Sequence, residues 1–296
     1  MKKIALAALG LAFAASAAPA MAANVCPAGG AIRFGVEPFE SNAVLTPIYD
    51  KIGALISAKV GCPVHIYIAT SYNAEIEAMR AGKLEMGQFG PLGYVLAHQV
   101  ADAQAVATVA DANGKPSTYT AAVVTWPGSG ITTLAQVKGH TFGYSDPAST
   151  SGHLFPAYAL ETAGIDPNKG VTPLYSGSHT ASYEALLNHK VEAGELNSQT
   201  ITAAEIAGNY DPKNFVVLWQ SKPIPLDPIS VYGKMNPVLK ARLIAAVQNL
   251  KLTNLTPAEQ KVLGTPSGEL VPTTDAAYNQ IRALVHVLHI DLSKLS

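Results

Sequence analysis

The 296-residue sequence predicts an α/β protein of two lobes joined by a hinge. Three observations carry this expectation. Short apolar or β-branched runs alternate with segments whose apolar residues recur at helical spacing. The alternation breaks at Pro127-Gly128-Ser129-Gly130 and then resumes as a second series. After that series, a proline-rich stretch from Lys222 to Pro228 leads back to further strand and helix patterns. Alternation of this kind makes βα units and parallel-rich sheets. Two such units joined by more than one crossing strand describe a protein that closes on a ligand held between its lobes.

Each element has its own local reason. Ile32 to Val36 reads as the first strand, and Leu45 to Val60 as a helix with Ile48, Ile52, Leu55 and Ile56 on one side. Val64 to Ile68 is a β-branched strand whose His65 and Tyr67 are expected at the surface. A helix over Asn73–Ala81 turns Ile76 and Met79 inward. Met86–Phe89 is a short strand, and Tyr94–Val100 the helix after it. Strands follow at Ala105–Ala110 and Thr120–Trp126. The second series holds a short helix at Leu134–Val137, the run Thr141–Tyr144, a helix-like segment Leu154–Ala163, a helix Ala181–Asn188, and strands at Val191–Leu196 and Phe215–Trp219. Pro223, Pro225 and Pro228 then stiffen an extended segment. Ile229–Tyr232 is a strand, Val238–Leu250 an amphipathic helix, and Thr274–Leu288 a helical tail expected to pack on the first series. These assignments give residues 23–125 and 226–296 to lobe 1 and residues 126–225 to lobe 2.

The first 22 residues read as a cleaved signal peptide. Lys2 and Lys3 form a basic start, Ile4–Ala18 an apolar run too short to span a membrane, and Ala20-Met21-Ala22 a cleavage signal. Ala23-Asn24-Val25 does not make Cys26 a lipidation site, so a soluble exported protein is expected. Its cleavage would leave 18 Lys and Arg against 21 Asp and Glu, a net charge of −3, which gives no footprint for nucleic acid. Cys26 and Cys62 are the two cysteines. An oxidising compartment favours a disulfide between them, and the pair alone makes a poor zinc site.

The most informative motif is Asp146-Pro147-Ala148-Ser149-Thr150-Ser151-Gly152-His153. It lies where a strand turns into a helix. Free N–H groups and the positive end of the helix dipole suit a small oxyanion there. Three hydroxyls add donors without adding charge, although an ordinary Ser/Thr cap explains the same residues.

The chain as a whole resembles the periplasmic phosphonate/phosphite-binding proteins of ABC transporters over roughly Ile32 to Leu250. Four matches carry the resemblance: Phe142 to Gly152 with Pro156 beyond it, Tyr72-Asn73-Ala74-Glu75-Ile76-Glu77-Ala78-Met79-Arg80, His179 in Gly177-Ser178-His179, and Ile224-Pro225-Leu226-Asp227-Pro228. It implies a type II periplasmic-binding fold, a small oxyanion ligand, an ABC permease as partner, and the periplasm as compartment. It also implies that Ser149, Thr150, Ser151 and His179 hold the oxyanion. Tyr72 and Asp227 match the residues that surround an amine in relatives taking aminoalkyl phosphonates. Gln199 stands where those relatives carry Glu, which argues against an ammonium-bearing ligand. A further aromatic falls at Thr118 or Tyr119, and Tyr94 either lines the cleft or packs.

Other residues weigh less. Strand alternation places Glu195 on the face of Asn197 and Gln199. His286 and His289 are three apart on a helix with no third ligand beside them, and read as a solvated face. A monomer without cofactor is expected. An oxyanion sensor serving a membrane histidine kinase is the nearest alternative. A hydrolase using Ser149 or Ser151 with His179 is the rival from another class, and it lacks the Gly-x-Ser-x-Gly elbow.

Overall fold

The computed structural model describes residues 25–291, and the expected signal peptide lies outside the described residues. The chain forms β1 (Ile32–Val36), α1 (Asn42–Val60), β2 (Val64–Ile68), α2 (Tyr72–Arg80), β3 (Met86–Gln88), α3 (Pro91–Ala101), β4 (Ala103–Val109), β5 (Thr118–Tyr119) and β6 (Ala121–Thr125). It continues through β7 (Thr141–Tyr144), α4 (Phe155–Thr162), β8 (Thr172–Tyr175), α5 (His179–Leu187), β9 (Ala193–Asn197), α6 (Ser198–Ala207), β10 (Val216–Gln220) and β11 (Ile224–Pro225). It ends with β12 (Ile229–Tyr232), α7 (Pro237–Val247), α8 (Pro257–Val262), β13 (Leu270–Pro272) and α9 (Asn279–Val287).

These strands build two sheets. One has the order β13-β4-β12-β3-β1-β2 and the other β10-β6-β9-β7-β8. In each, three strands are parallel: β2-β1-β3 in the first and β8-β7-β9 in the second. The remaining pairings are antiparallel, so the sheets are more mixed than the βα alternation alone suggests. The reason is topological. β12 enters the first sheet after the chain has crossed back from the second and runs against both β3 and β4. β6 enters the second sheet directly after the outward crossing and runs against β9 and β10. The sheet pairing also moves a boundary: Ala121–Thr125, assigned above to lobe 1, is an inner strand of the second sheet.

The two crossings meet. β5 and β11 pair antiparallel, Tyr119 opposite Ile224 and Thr118 opposite Pro225. This two-stranded ribbon is the link between the sheets, where the proline-rich segment predicted extended backbone.

Helices cover both faces of each sheet. In α1, Leu45, Ile48, Ile52 and Ile56 recur at three- and four-residue spacing and are buried against the first sheet. The helix ends at Gly61, whose φ of 78° lets its N–H close onto the Ser57 carbonyl. The other face of that sheet is covered by α2, α3 and α9, with Ile76, Met79, Leu92, Tyr278, Ile281 and Val285 in one cluster. The tail therefore packs back on the first series, as expected. In the second sheet, Phe142, Tyr144, Ala159 and Leu160 fill one side and Tyr183, Leu186 and Val191 the other. His65, Tyr67, His286 and His289 are exposed. Among the described residues no helix is long and apolar enough to cross a membrane.

Cys26 and Cys62 form a disulfide, with Cα atoms 5.6 Å apart. It ties the segment before β1 to the residue after the α1 cap, so strand, helix and cap share one covalent loop. Closing a loop spanning 36 positions constrains the unfolded chain by about 3–4 kcal/mol. Mass analysis without reduction should find no free thiol, and Cys62→Ala should lower the unfolding free energy by about that amount in a urea titration. Two free thiols in protein purified from an oxidising compartment would refute the pairing.

Candidate functional site

The residues at the C-terminal edges of the two sheets face one another across a narrow cavity lined by Glu37, Phe39, Glu40, Tyr72, Gly90, Tyr119, Ser149, Thr150, Ser151, His179, Asn197, Gln199, Thr200 and Asp227. This is where open α/β sheets place ligands.

One wall is the turn after β7. Thr150–Leu154 is a π-helical turn that runs straight into α4, and single π turns of this kind concentrate at functional sites. Ser149 caps it: its hydroxyl accepts from the Gly152 N–H at 3.1 Å, and its carbonyl accepts from Leu154 N–H. The amides of Thr150 and Ser151 open the turn, where no earlier helical carbonyl can take them. The cap reading is met by Ser149, and the two opening amides leave the oxyanion reading compatible with the same turn. Gly152 cannot carry a side chain here, because a Cβ would lie 1.7 Å from Ser145 Oγ and 2.9 Å from His179 Cε1. Thr150 Oγ1 accepts from the Leu92 N–H of α3 at 2.7 Å, which fixes the cradle against the first sheet's helices.

His179 is the first residue of α5, whose cap is Ser178. Its Nε2 lies 3.3 Å from Ser149 Oγ and 3.4 Å from Ser151 Oγ. Its Nδ1 lies 2.8 Å from Glu195 Oε1. Burial pushes the imidazole pKa down. The adjacent Glu195 carboxylate, its hydrogen bond, and the more distant Glu40 and Asp227 outweigh that, and the net shift is upward. The balance thus favours the protonated, donating form of the ring beside the Ser149 and Ser151 hydroxyls.

Contacts across the cavity hold the two halves together. The His179 N–H donates to the Phe39 carbonyl at 3.1 Å. Glu40 accepts from the Thr200 hydroxyl at 3.0 Å and from the Thr180 hydroxyl.

Tyr72, Ser149, Thr150, Ser151, His179, Gln199 and Asp227 all line the one cavity, so separate stretches of sequence converge. Of the two residues in question on β5, Tyr119 lines the cavity and Thr118 is exposed. Two expectations change. Tyr94 is not at the cavity: its hydroxyl donates to Asp275 at 2.8 Å and its ring packs 4.8 Å from that of Tyr278, because helix α3 starts at Pro91 and turns Tyr94 toward the Asp275–Tyr278 turn that precedes α9. Gln199 is not on a strand face with Glu195. β9 ends at Asn197, whose side chain caps α6 by accepting from the Gln199 and Thr200 amides at 2.9 Å.

The sequence reading passed over Glu37 and Glu40. Glu37 follows β1 directly and is 1 % exposed, with Oε2 unpartnered. An acid placed immediately after a buried strand, in Phe34-Gly35-Val36-Glu37, was the available signal, since ligands sit beyond strand C-termini. Asp227 is therefore not the sole acid on the cavity, and the absence of an acid at position 199 no longer weighs against an ammonium by itself.

The comparisons with known proteins agree with the fold. A family model described as the periplasmic substrate-binding protein of phosphonate ABC transporters matches residues 34–278. A phosphonates-binding periplasmic protein of Escherichia coli is 27 % identical over 79 % of this chain and 69 % of its own length. A phosphate-import protein of Mycolicibacterium smegmatis is 25 % identical over 86 % of this chain and 85 % of its own. The crystal structure of a binding protein component of an ABC phosphonate transporter from Pseudomonas aeruginosa superposes with a TM-score of 0.76 at 25 % identity, covering 88 % of this chain and 86 % of that one. With two α/β lobes, a ribbon hinge and a hydroxyl cradle between them, this chain belongs to the periplasmic substrate-binding proteins of phosphonate ABC transporters.

Proposed function

We propose that this protein captures a small phosphorus oxyanion (phosphite, hypophosphite or a short alkyl phosphonate) in the periplasm and delivers it as a monomer to an ABC permease. The observation that carries the reading is the cradle: the Ser149 and Ser151 hydroxyls lie 3.3 and 3.4 Å from the buried His179 Nε2, beside the opening amides of the π turn, and no Lys or Arg stands among the described residues lining the cavity. Neutral donors and a single imidazolium hold an anion without the strong pairing that would oppose its release. Residues 25–119 and 226–291 would form one lobe and residues 121–220 the other, hinged at the β5–β11 ribbon.

The hydrolase reading gains one observation, since Ser149 or Ser151, His179 and Glu195 are spaced like a nucleophile, base and orienting acid. Two features favour binding instead. Ser149 Oγ is already the helix cap. Nε2 is shared almost equally between two serines, so neither is singled out.

Two tests follow from the cradle. Ser149→Ala and Thr150→Ala should each weaken methylphosphonate or phosphite binding by about 1.5–3 kcal/mol, the range for hydrogen bonds to charged groups, with the melting curve nearly unchanged. Equal affinity in the double variant would show that the anion sits elsewhere.

Glu195→Gln removes the main upward influence on His179 and leaves the downward pull of burial. The sign follows from linkage. A raised pKa means that the His179–Glu195 pair contributes fully below the ordinary imidazole value of about 6.5 and is lost as pH rises through the raised value. Oxyanion affinity should fall over that range in the wild type. In Glu195→Gln the fall should begin at lower pH, and the His179 ring resonances should titrate lower in NMR. Identical pH profiles would remove Glu195 from the binding mechanism.

A further inference from the structure

An anion site with this many acids poses an electrostatic problem. Glu37, Glu40 and Asp227 line the cavity, and Glu195 stands directly behind His179. One imidazole is the only basic side chain among the lining residues. Three of the acids have a partner within the protein: Glu195 takes the His179 Nδ1–H through one oxygen, Glu40 takes the Thr180 and Thr200 hydroxyls, and Asp227 meets the Gln88 side chain. Glu37, whose carboxyl pKa is raised further by the nearby Asp227, keeps an oxygen free. Glu37 Oε2 is buried with no partner, which in a folded protein costs about 1–3 kcal/mol, and more if charged. Gly90 helps hold Glu37 in place, since a Cβ at that position would meet Glu37 Oε1 at 2.6 Å.

We propose, building on the reading of the cavity as a phosphorus-oxyanion site, that Glu37 and Asp227 form an acceptor pair for the acidic proton of the bound anion, so that the cavity selects P–OH-bearing anions over sulfur oxyanions. A carboxylate oxygen can only accept. It binds a P–OH group well and faces the unprotonated oxygen of a sulfonate as one negative charge faces another. The cavity is small and the cradle and the acids line the same space, so an oxyanion seated on Ser149 and His179 lies close to both acids.

The electrostatics agree. Burial raises the Glu37 carboxyl well above the ordinary range, and Asp227, Glu75 and Asp146 raise it further against the Gly90 N–H. Burial likewise pushes Asp227 up to about 7, against the Gln88 side chain and His179. Such high proton affinity makes each carboxyl a strong acceptor for the proton of a P–OH group, which a sulfonate does not carry.

Methylphosphonate monoanion and methanesulfonate are the deciding pair of probes, since they match in size and charge and differ by one acidic proton. Calorimetry at a pH where methylphosphonate is mainly the monoanion should show wild type preferring it by about 10²-fold or more, as expected where a polar site rejects an analogue lacking its hydrogen bond. Glu37→Gln and Asp227→Asn put an amide donor in place of an acceptor, and each should narrow that preference at least about tenfold by the same logic. The two variants give independent readings if one fails to fold. An unchanged preference in folded variants overturns the acceptor pair while leaving oxyanion capture intact. A preference unchanged for these probes but with aminoethylphosphonate binding lost would assign the acids to an ammonium instead, and also overturns it. Failure of the wild type to bind methylphosphonate, phosphite or phosphate would overturn the oxyanion reading itself, and this inference with it.

Discussion

The backbone N–H of His179 donates to the Phe39 carbonyl across the cavity, while its ring meets Glu195 on one side and Ser149 and Ser151 on the other. Four elements thus depend on where one residue sits: the loop after β1, strand β9, the π turn before α4, and α5 itself. Each contact is of modest strength when taken singly. Buried together in a low-dielectric space they reinforce one another, and removing one leaves the others imperfectly satisfied. The position of His179 is in turn set by the Ser178 cap, which starts α5 at that residue.

The proposed anion site is electrostatically mixed. Its positive character comes from amides, hydroxyls and one imidazole, and its negative character from several carboxyls. A fixed Lys or Arg would bind any small anion of the right charge. A balanced set of donors and acceptors instead demands that the ligand present the matching pattern, which is how selectivity is gained without great affinity. The buried tyrosines Tyr72 and Tyr119 add hydrophobic walls that exclude water and strengthen each polar contact.

Much of this was legible in the sequence. The strand and helix patterns place most of the elements, because their apolar spacing survives in the fold as the buried faces of α1, α2 and α9, while β5, β8, α6, α8 and β13 were not read from the sequence. The hydroxyl turn is readable because a strand, a Ser/Thr cluster and a glycine follow one another locally. What was not legible depends on long-range geometry. The antiparallel entry of β6 and β12 follows from chain crossings, not from local pattern. Tyr94 is turned toward Asp275 by the phase of a helix that starts three residues earlier than its periodicity suggests. Glu37 looks like one of 21 acids until the fold carries it under Gly90 and into the cavity. The pairing of His179 with Glu195 joins residues 16 apart, and only the packing of α5 on β9 brings them together.

The hinge has a mechanical consequence. β5 and β11 are hydrogen-bonded to each other as a ribbon, and β11 contains Pro225, next to Leu226, whose N–H and carbonyl are tied to Ser117 and Tyr278. Because the ladder joins them, neither crossing strand can shift along the other without breaking hydrogen bonds that buried backbone needs. Any relative motion of the two halves is therefore carried by both crossings together, and not by one strand acting as a free tether.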